Sequence, residues 1–226
     1  MSKIKVTAVF DIGKTNKKFF LFDKHYQEVM REYTRLPLTV DEDGHETEDI
    51  ALLEAWVKAT FHAVLENEKY EVKALNFSTY GASLVHLDHE GNVLTPLYNY
   101  TKPIDTTITD AFYEQYGDSL KIATETASPQ AGMLNAGLQL FWLKKRYPDT
   151  FKKIKYSLHL PQYLSFLFTG IAVSEYTSIG CHTNLWDYDK EDQGTSPRIP
   201  LPKSEKIHTQ LMKPFGRARK SASNDG

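Results

Sequence analysis

Residues 6–10 and 19–22 form two largely apolar runs, and the polar stretch between them opens on Asp11-Ile12-Gly13. Runs of four or five apolar residues have the length of buried strands. A short glycine-containing loop between two such strands returns the chain on itself, so the N-terminus is predicted as a β-hairpin. A hairpin excludes an all-helical fold and needs a second layer to cover its apolar face. Helices able to supply that layer follow. Residues 48–65 place Leu53, Trp56, Val57, Phe61 and Val64 at helical spacing behind an acidic first turn. Residues 72–77 resume strand character, and 84–87 and 93–95 flank Asp88-His89-Glu90-Gly91-Asn92 as a second predicted hairpin. Residues 134–147 read as a helix stopped before Pro148, and 155–160 as a strand. Residues 161–168 read as a helix with Pro161 at its start and Gly170 past its end. This order predicts an α/β domain, a mixed central sheet with helices on both faces.

Composition narrows the function classes. Of 226 residues, 41% are hydrophobic and 25% charged, the balance of a globular chain, and the net charge of −2 gives no electrostatic case for nucleic acid as a partner. No apolar stretch is long enough to span a membrane, and the start is too polar for a secretory leader. The lone Cys181 excludes an internal disulfide and fits a reducing compartment, so a cytoplasmic location is expected. Charge is uneven: residues 194–226 carry +5 with four prolines, and residues 1–193 carry −7. The expected division is a domain over 1–193 and a basic, poorly ordered tail over 194–226.

The loop of the first hairpin, Asp11-Ile12-Gly13-Lys14-Thr15-Asn16-Lys17-Lys18, carries the most chemistry. Gly13 permits close backbone approach, turn amides hold phosphate oxygens, and Thr15 and Asn16 add donors. Lys14, Lys17 and Lys18 add positive charge, and Asp11 at the strand end suits hydrated Mg²⁺. The same residues also suit a bare turn, and the spacing is not that of a P-loop. Elsewhere, Cys181-His182 reads as an ordinary core thiol or the end of a segment. His86 and His89 read as surface residues, and the acidic run from Asp41 to Asp49 as a solvated loop.

The hairpin DxGxT pattern ending in a basic residue resembles the start of the FGGY carbohydrate kinases, members of the actin-like, ribonuclease-H-like ATPase superfamily. Residues 77–88, Phe-Ser-Thr-Tyr-Gly-Ala-Ser-Leu-Val-His-Leu-Asp, resemble the family's sugar-site strand and loop. Asn135-Ala136-Gly137-Leu138-Gln139 resembles its helix in rhamnulokinase-like members. Residues 158–170 match its "P-x-Y-L…L-T-G" pattern, and 175–187 its small-residue turn followed by "L-x-D". The resemblance implies a ribonuclease-H-like fold, ATP and Mg²⁺ as cofactors, and a small-molecule sugar as substrate.

Carried over, Asp11 would position Mg²⁺, and Gly13, Lys14, Thr15, Asn16 and Lys18 would contact phosphate. Tyr80, Gly81, Ala82 and Ser83 would line the sugar site, with Asn135 and Gln139 approaching it. Deoxyketoses of the rhamnulose or fuculose kind are the implied sugars. Two departures bear on substrate identity: Lys14 stands where many members have a small hydroxyl residue, and Lys102 is expected to replace a cation of an arginine-aspartate pair. The family's catalytic base, an aspartate in a glycine-rich loop, has no counterpart here, and Asp225 lacks that context. The expected function is therefore the N-terminal half of a carbohydrate kinase, inactive alone, with a second kinase domain as its missing partner. The alternative is a non-catalytic sugar-binding remnant or a truncated or frameshifted product. The face left uncovered by the second domain leaves homo-oligomer formation open.

Overall fold

The computed structural model describes residues 2–187, so the end of the expected domain and the whole 194–226 tail lie outside the described residues. The elements run β1 (Ile4–Ile12), β2 (Lys17–Asp23), β3 (Glu28–Thr34), β4 (Leu38–Val40), β5 (Glu46–Glu48), α1 (Ile50–Glu66), β6 (Tyr70–Thr79) and β7 (Leu84–Leu87). They continue α2 (Thr106–Tyr116), α3 (Ser119–Thr126), a 3-10 turn at Gly132–Leu134, α4 (Ala136–Arg146), α5 (Pro148–Lys153), β8 (Tyr156–His159), α6 (Leu160–Thr169) and α7 (Tyr176–Ile179). A four-stranded mixed sheet has the order β3-β2-β1-β6, with β1 antiparallel to β2 and parallel to β6.

Strand alternation decides what this sheet buries. Ala8, Phe10 and Ile12 share one face with their partners Leu21, Phe19 and Lys17 across the hairpin. That face meets Leu53 and Val57 of α1 and Leu160, Tyr163 and Leu164 of α6 in the main core. Phe10 stands edge-on to Trp56 at 5.4 Å and stacks on Phe77 at 5.5 Å; Phe77 stacks on Phe168 at 5.8 Å. The mixed sheet packed with helices is the α/β arrangement expected from the sequence. Val9, Phe20 and Phe22 point the other way and are half-buried. Asp11 and Lys18 end that second face as a register pair.

Helix boundaries follow capping chemistry. Asp49 accepts from the Ala51 and Leu52 amides at the start of α1, and Gly170, with φ 63°, ends α6 in the left-handed region. The predicted hairpin after residue 84 closes its loop, with Leu87 bridging Val93, but β7 takes β8 as its partner strand. His86 is thereby 1% exposed and bonded to Ser157, which corrects its reading as a surface residue; His89 is exposed. Cys181 is exposed, so it marks a segment end and no core thiol.

A second core joins Met133, Leu140, Trp142 and Leu143 to Leu185 and Trp186. It depends on close backbone approach at Gly137, whose amide donates to the Thr183 carbonyl at 2.7 Å. A Cβ there would lie 2.8 Å from that carbonyl oxygen and 3.2 Å from a Leu185 methyl. Gly137→Ala is expected to destabilise the chain by about 1–3 kcal/mol, since neither backbone can yield cheaply. Gly81, with nothing near its Cβ position, provides the control. Urea unfolding of Gly137→Ala and Gly81→Ala against the parent checks this, and equal midpoints for all three would refute it.

Candidate functional site

The hairpin loop and the 80–83 loop arrive side by side because β1 and β6 are parallel neighbours and end together, Ile12 opposite Thr79. The Tyr80 amide donates to the Ile12 carbonyl at 3.3 Å, which stitches the two loops. Two cavities open there. One, of about 720 Å³, is lined by Ser78, Thr79, Tyr80, Gly81, Ala82 and Tyr100, with Gln162, Glu175 and Cys181 among its further wall residues. The other, of about 400 Å³, is lined by Lys14, Thr15, Arg35, Glu48, Ser83 and Asn99, among others. Both are in the range of small-molecule sites. Tyr80 and Tyr100, 6.1 Å apart, contribute to both.

In the hairpin, the Gly13 amide donates to the Asn16 carbonyl at 3.0 Å, and a Cβ on Gly13 would crowd that same oxygen at 3.0 Å. Lys18 pairs with Asp11 at 3.0 Å, both about a third exposed. Lys14 leans over the Tyr100 ring at 4.5 Å and donates to Asn99 Oδ1 at 2.7 Å. The Asn16 carboxamide oxygen accepts from Arg35 at 2.9 Å. Lys17 is no solvent-facing cation: it is 2% exposed, ion-paired with Glu48, and donates to the Gly13 and Lys14 carbonyls at 3.0 and 2.9 Å. Alternation explains this, since Lys17 occupies the core face and Lys18 the other.

In the 80–83 loop, Ala82 adopts φ 61° and Ser83 is buried, its hydroxyl 3.4 Å from the Tyr98 carbonyl. Burial first, then the neighbouring Glu48 carboxylate, raises the Tyr80 phenol far above its ordinary value, so it remains a protonated donor. Asn135 and Gln139 stand behind the loops, lining neither cavity. Asn135 accepts from the Ala131 amide and donates to the Pro129 and His182 carbonyls at 3.0 and 2.8 Å. Gln139 donates to the Ala82 carbonyl at 2.5 Å and to that of Met133. Their amides hold backbone in place.

One reading is corrected. The acidic run is no wholly solvated loop: Asp41 and Glu48 are 5% and 7% exposed, each held by a buried lysine. Lys102, expected to replace the cation of an arginine-aspartate pair, is held by Asp41 and Asp43 at 2.6 and 2.7 Å and lines neither cavity. Among the described residues no group of three or more His, Cys, Asp or Glu could hold a metal by itself. No described helix is long and apolar enough to cross a membrane.

Known proteins resemble this chain in sequence and in fold. A rhamnulokinase of Halalkalibacterium halodurans is 28% identical over 184 residues, 79% of this chain and 37% of that protein. A xylulose kinase of Bacillus subtilis is 25% identical over 77% of this chain and 35% of its own length. The solved structure of a carbohydrate kinase from Novosphingobium aromaticivorans superposes with a TM-score of 0.71 at 28% identity, covering 82% of this chain and 38% of that one. The chain thus spans about a third of the length of these relatives. Residues 6–193 match the profile described as the FGGY family of carbohydrate kinases, N-terminal domain, and the chain belongs to that family.

Proposed function

We propose that this chain supplies the sugar- and phosphate-binding half of an ATP-dependent carbohydrate kinase, acting on a sugar hydroxyl together with a second, nucleotide-holding domain. The observation that carries the reading is the juxtaposition of the hairpin and the 80–83 loop across cavities of substrate size. Phosphoryl transfer is mainly positioning and charge neutralisation, which is what these loops offer.

In this reading, the turn amides with Thr15, Asn16 and Lys18 bind phosphate, and Tyr80 to Ser83 bind the sugar. Asp11 fits a Mg²⁺ held by one carboxylate plus phosphates and water, because its carboxylate is partly exposed and engaged only by Lys18 among the described residues. When bound, MgATP supplies the phosphoryl group and offsets its charge. Asn135 and Gln139 act on the sugar through the backbone they hold, so they do not choose between sugars directly. The domain is assigned to residues 1–193, with 194–226 outside the family match, and ATP as donor fits a cytoplasmic location.

Calorimetric titration of the 226-residue chain with rhamnulose, xylulose, gluconate and glycerol tests the proposal, alongside an ADP-release assay. The expected result is saturable binding of at least one of them with turnover near the buffer blank. Absence of binding to all four at millimolar concentration would overturn it.

A further inference from the structure

Lys17 occupies a core-face position flanked by Ile12 and Phe19, where an apolar residue would serve folding at least as well. Replacing a buried ion pair with apolar residues of similar size is commonly neutral or stabilising, so burial alone does not account for a lysine there. What Lys17 does and a leucine cannot do is donate to two successive carbonyls of the turn, Gly13 and Lys14. We infer that Lys17 is a positioning residue that aims the Lys14 and Thr15 amides at phosphate, and that Glu48 is present to hold Lys17.

The argument rests on peptide geometry. In a planar trans peptide the N–H points opposite to the C=O. Tethering the Gly13 carbonyl inward turns the Lys14 N–H outward, and tethering the Lys14 carbonyl turns the Thr15 N–H outward. Among the described residues neither amide has an acceptor, whereas the neighbouring Gly13 amide closes the turn on Asn16. Two successive outward amides make an anion-binding concavity. Glu48 completes the device. It pairs with Lys17, and its residue immediately precedes the Asp49 cap that fixes α1. The turn is thereby referenced to a rigid helix. The inference rests on the proposed phosphate role of the hairpin.

The test uses the ¹⁵N-labelled 226-residue chain titrated with inorganic tripolyphosphate, read at the Lys14 and Thr15 amide signals, beside urea unfolding. In the parent both signals are expected to shift saturably. Lys17→Met/Glu48→Leu leaves the net charge unchanged, so attraction by charge alone predicts equal binding. Positioning predicts binding weaker by about tenfold or more, with the unfolding midpoint unchanged or raised. Unchanged affinity overturns the inference, and so does a loss of affinity that accompanies a loss of stability or a failure to fold, since the pair would then be structural. A parent chain whose two amides do not respond overturns the phosphate reading itself, a result visible before any variant is made.

Discussion

Lys102→Met is expected to destabilise the chain by about 3–5 kcal/mol, a large part of the ~5–15 kcal/mol that holds a domain folded. Lys102 is 3% exposed at its side chain and lies between Asp41, fully buried, and Asp43. It also faces the rings of Trp142 at 5.2 Å and Tyr98 at 5.6 Å. Burial pushes the Asp41 carboxyl up, but the Lys102 bond and the His45 and Asp43 amides pull it to a net value below the usual range. Remove the ammonium and the burial cost remains without its compensation, so Asp41 must protonate or the loop must open. The consequence reaches the site. Residues 98–102 present Asn99 and Tyr100 to the cavities, and the Lys102 amide closes their turn on Asn99 at 2.9 Å. Lys152, paired with Asp149 at 2.8 Å but largely exposed, is the control; Lys152→Met is expected to change stability by less than about 0.5 kcal/mol. Restoring part of the loss with Lys102→Met/Asp41→Asn identifies the stranded carboxylate as its cause. Urea unfolding measures all three, and a Lys102→Met midpoint close to that of Lys152→Met would refute the argument.

The same cluster shows where sequence reading stops. The first hairpin, α1, α4 and α6 were legible because each writes its burial into a local period, with Asp49 and Gly170 as caps. The Lys17–Glu48 and Lys102–Asp41 pairs were not, because their partners lie 31 and 61 residues apart and charge in a sequence reads as solvent. α2 and α3 pack Phe112 and Ile122 against Leu138 and Phe141 of α4 in a small third core. Asp105 and Asp118 cap their N-termini, accepting from the Thr107 amide and from the Leu120 and Lys121 amides. β3 is largely polar and exists by pairing with β2. At the site, the two loops that the resemblance named lie side by side, joined by the Tyr80 amide and the Ile12 carbonyl. Which side chains face the cavities, and which merely hold backbone as Asn135 and Gln139 do, depends on packing between segments that no local pattern encodes.

Acid is expected to weaken the fold well above the pH at which its carboxylates titrate. His86 and His159 are 1% and 2% exposed, and burial lowers their pKa values to about 3 and about 4, with Glu175 partly opposing the shift at His159. Both are therefore neutral when folded, with His86 Nδ1 2.8 Å from the Ser157 hydroxyl. An unfolded histidine takes up its proton near pH ~6.5, so below that pH the unfolded chain binds protons that the folded chain refuses. Stability is then complete above pH ~6.5 and declines as pH falls toward the folded values, by up to about 1.4 kcal/mol per unit for each ring. Between pH ~6.5 and ~4.5 the loss is of order 2–5 kcal/mol. The depressed carboxyls of Asp41 and Glu54 act in the same direction, but only once pH approaches the ordinary carboxylate range, near ~4. A decline already measurable at pH 5.5 thus belongs to the histidines. Urea midpoints at pH 7.5, 6.5, 5.5 and 5.0 provide the profile, and the His86 and His159 ring signals of the folded chain should not titrate over that range. A flat profile, or ring signals that titrate near pH 6.5 in the folded chain, would show that protons reach the two rings that lie buried on β7 and β8.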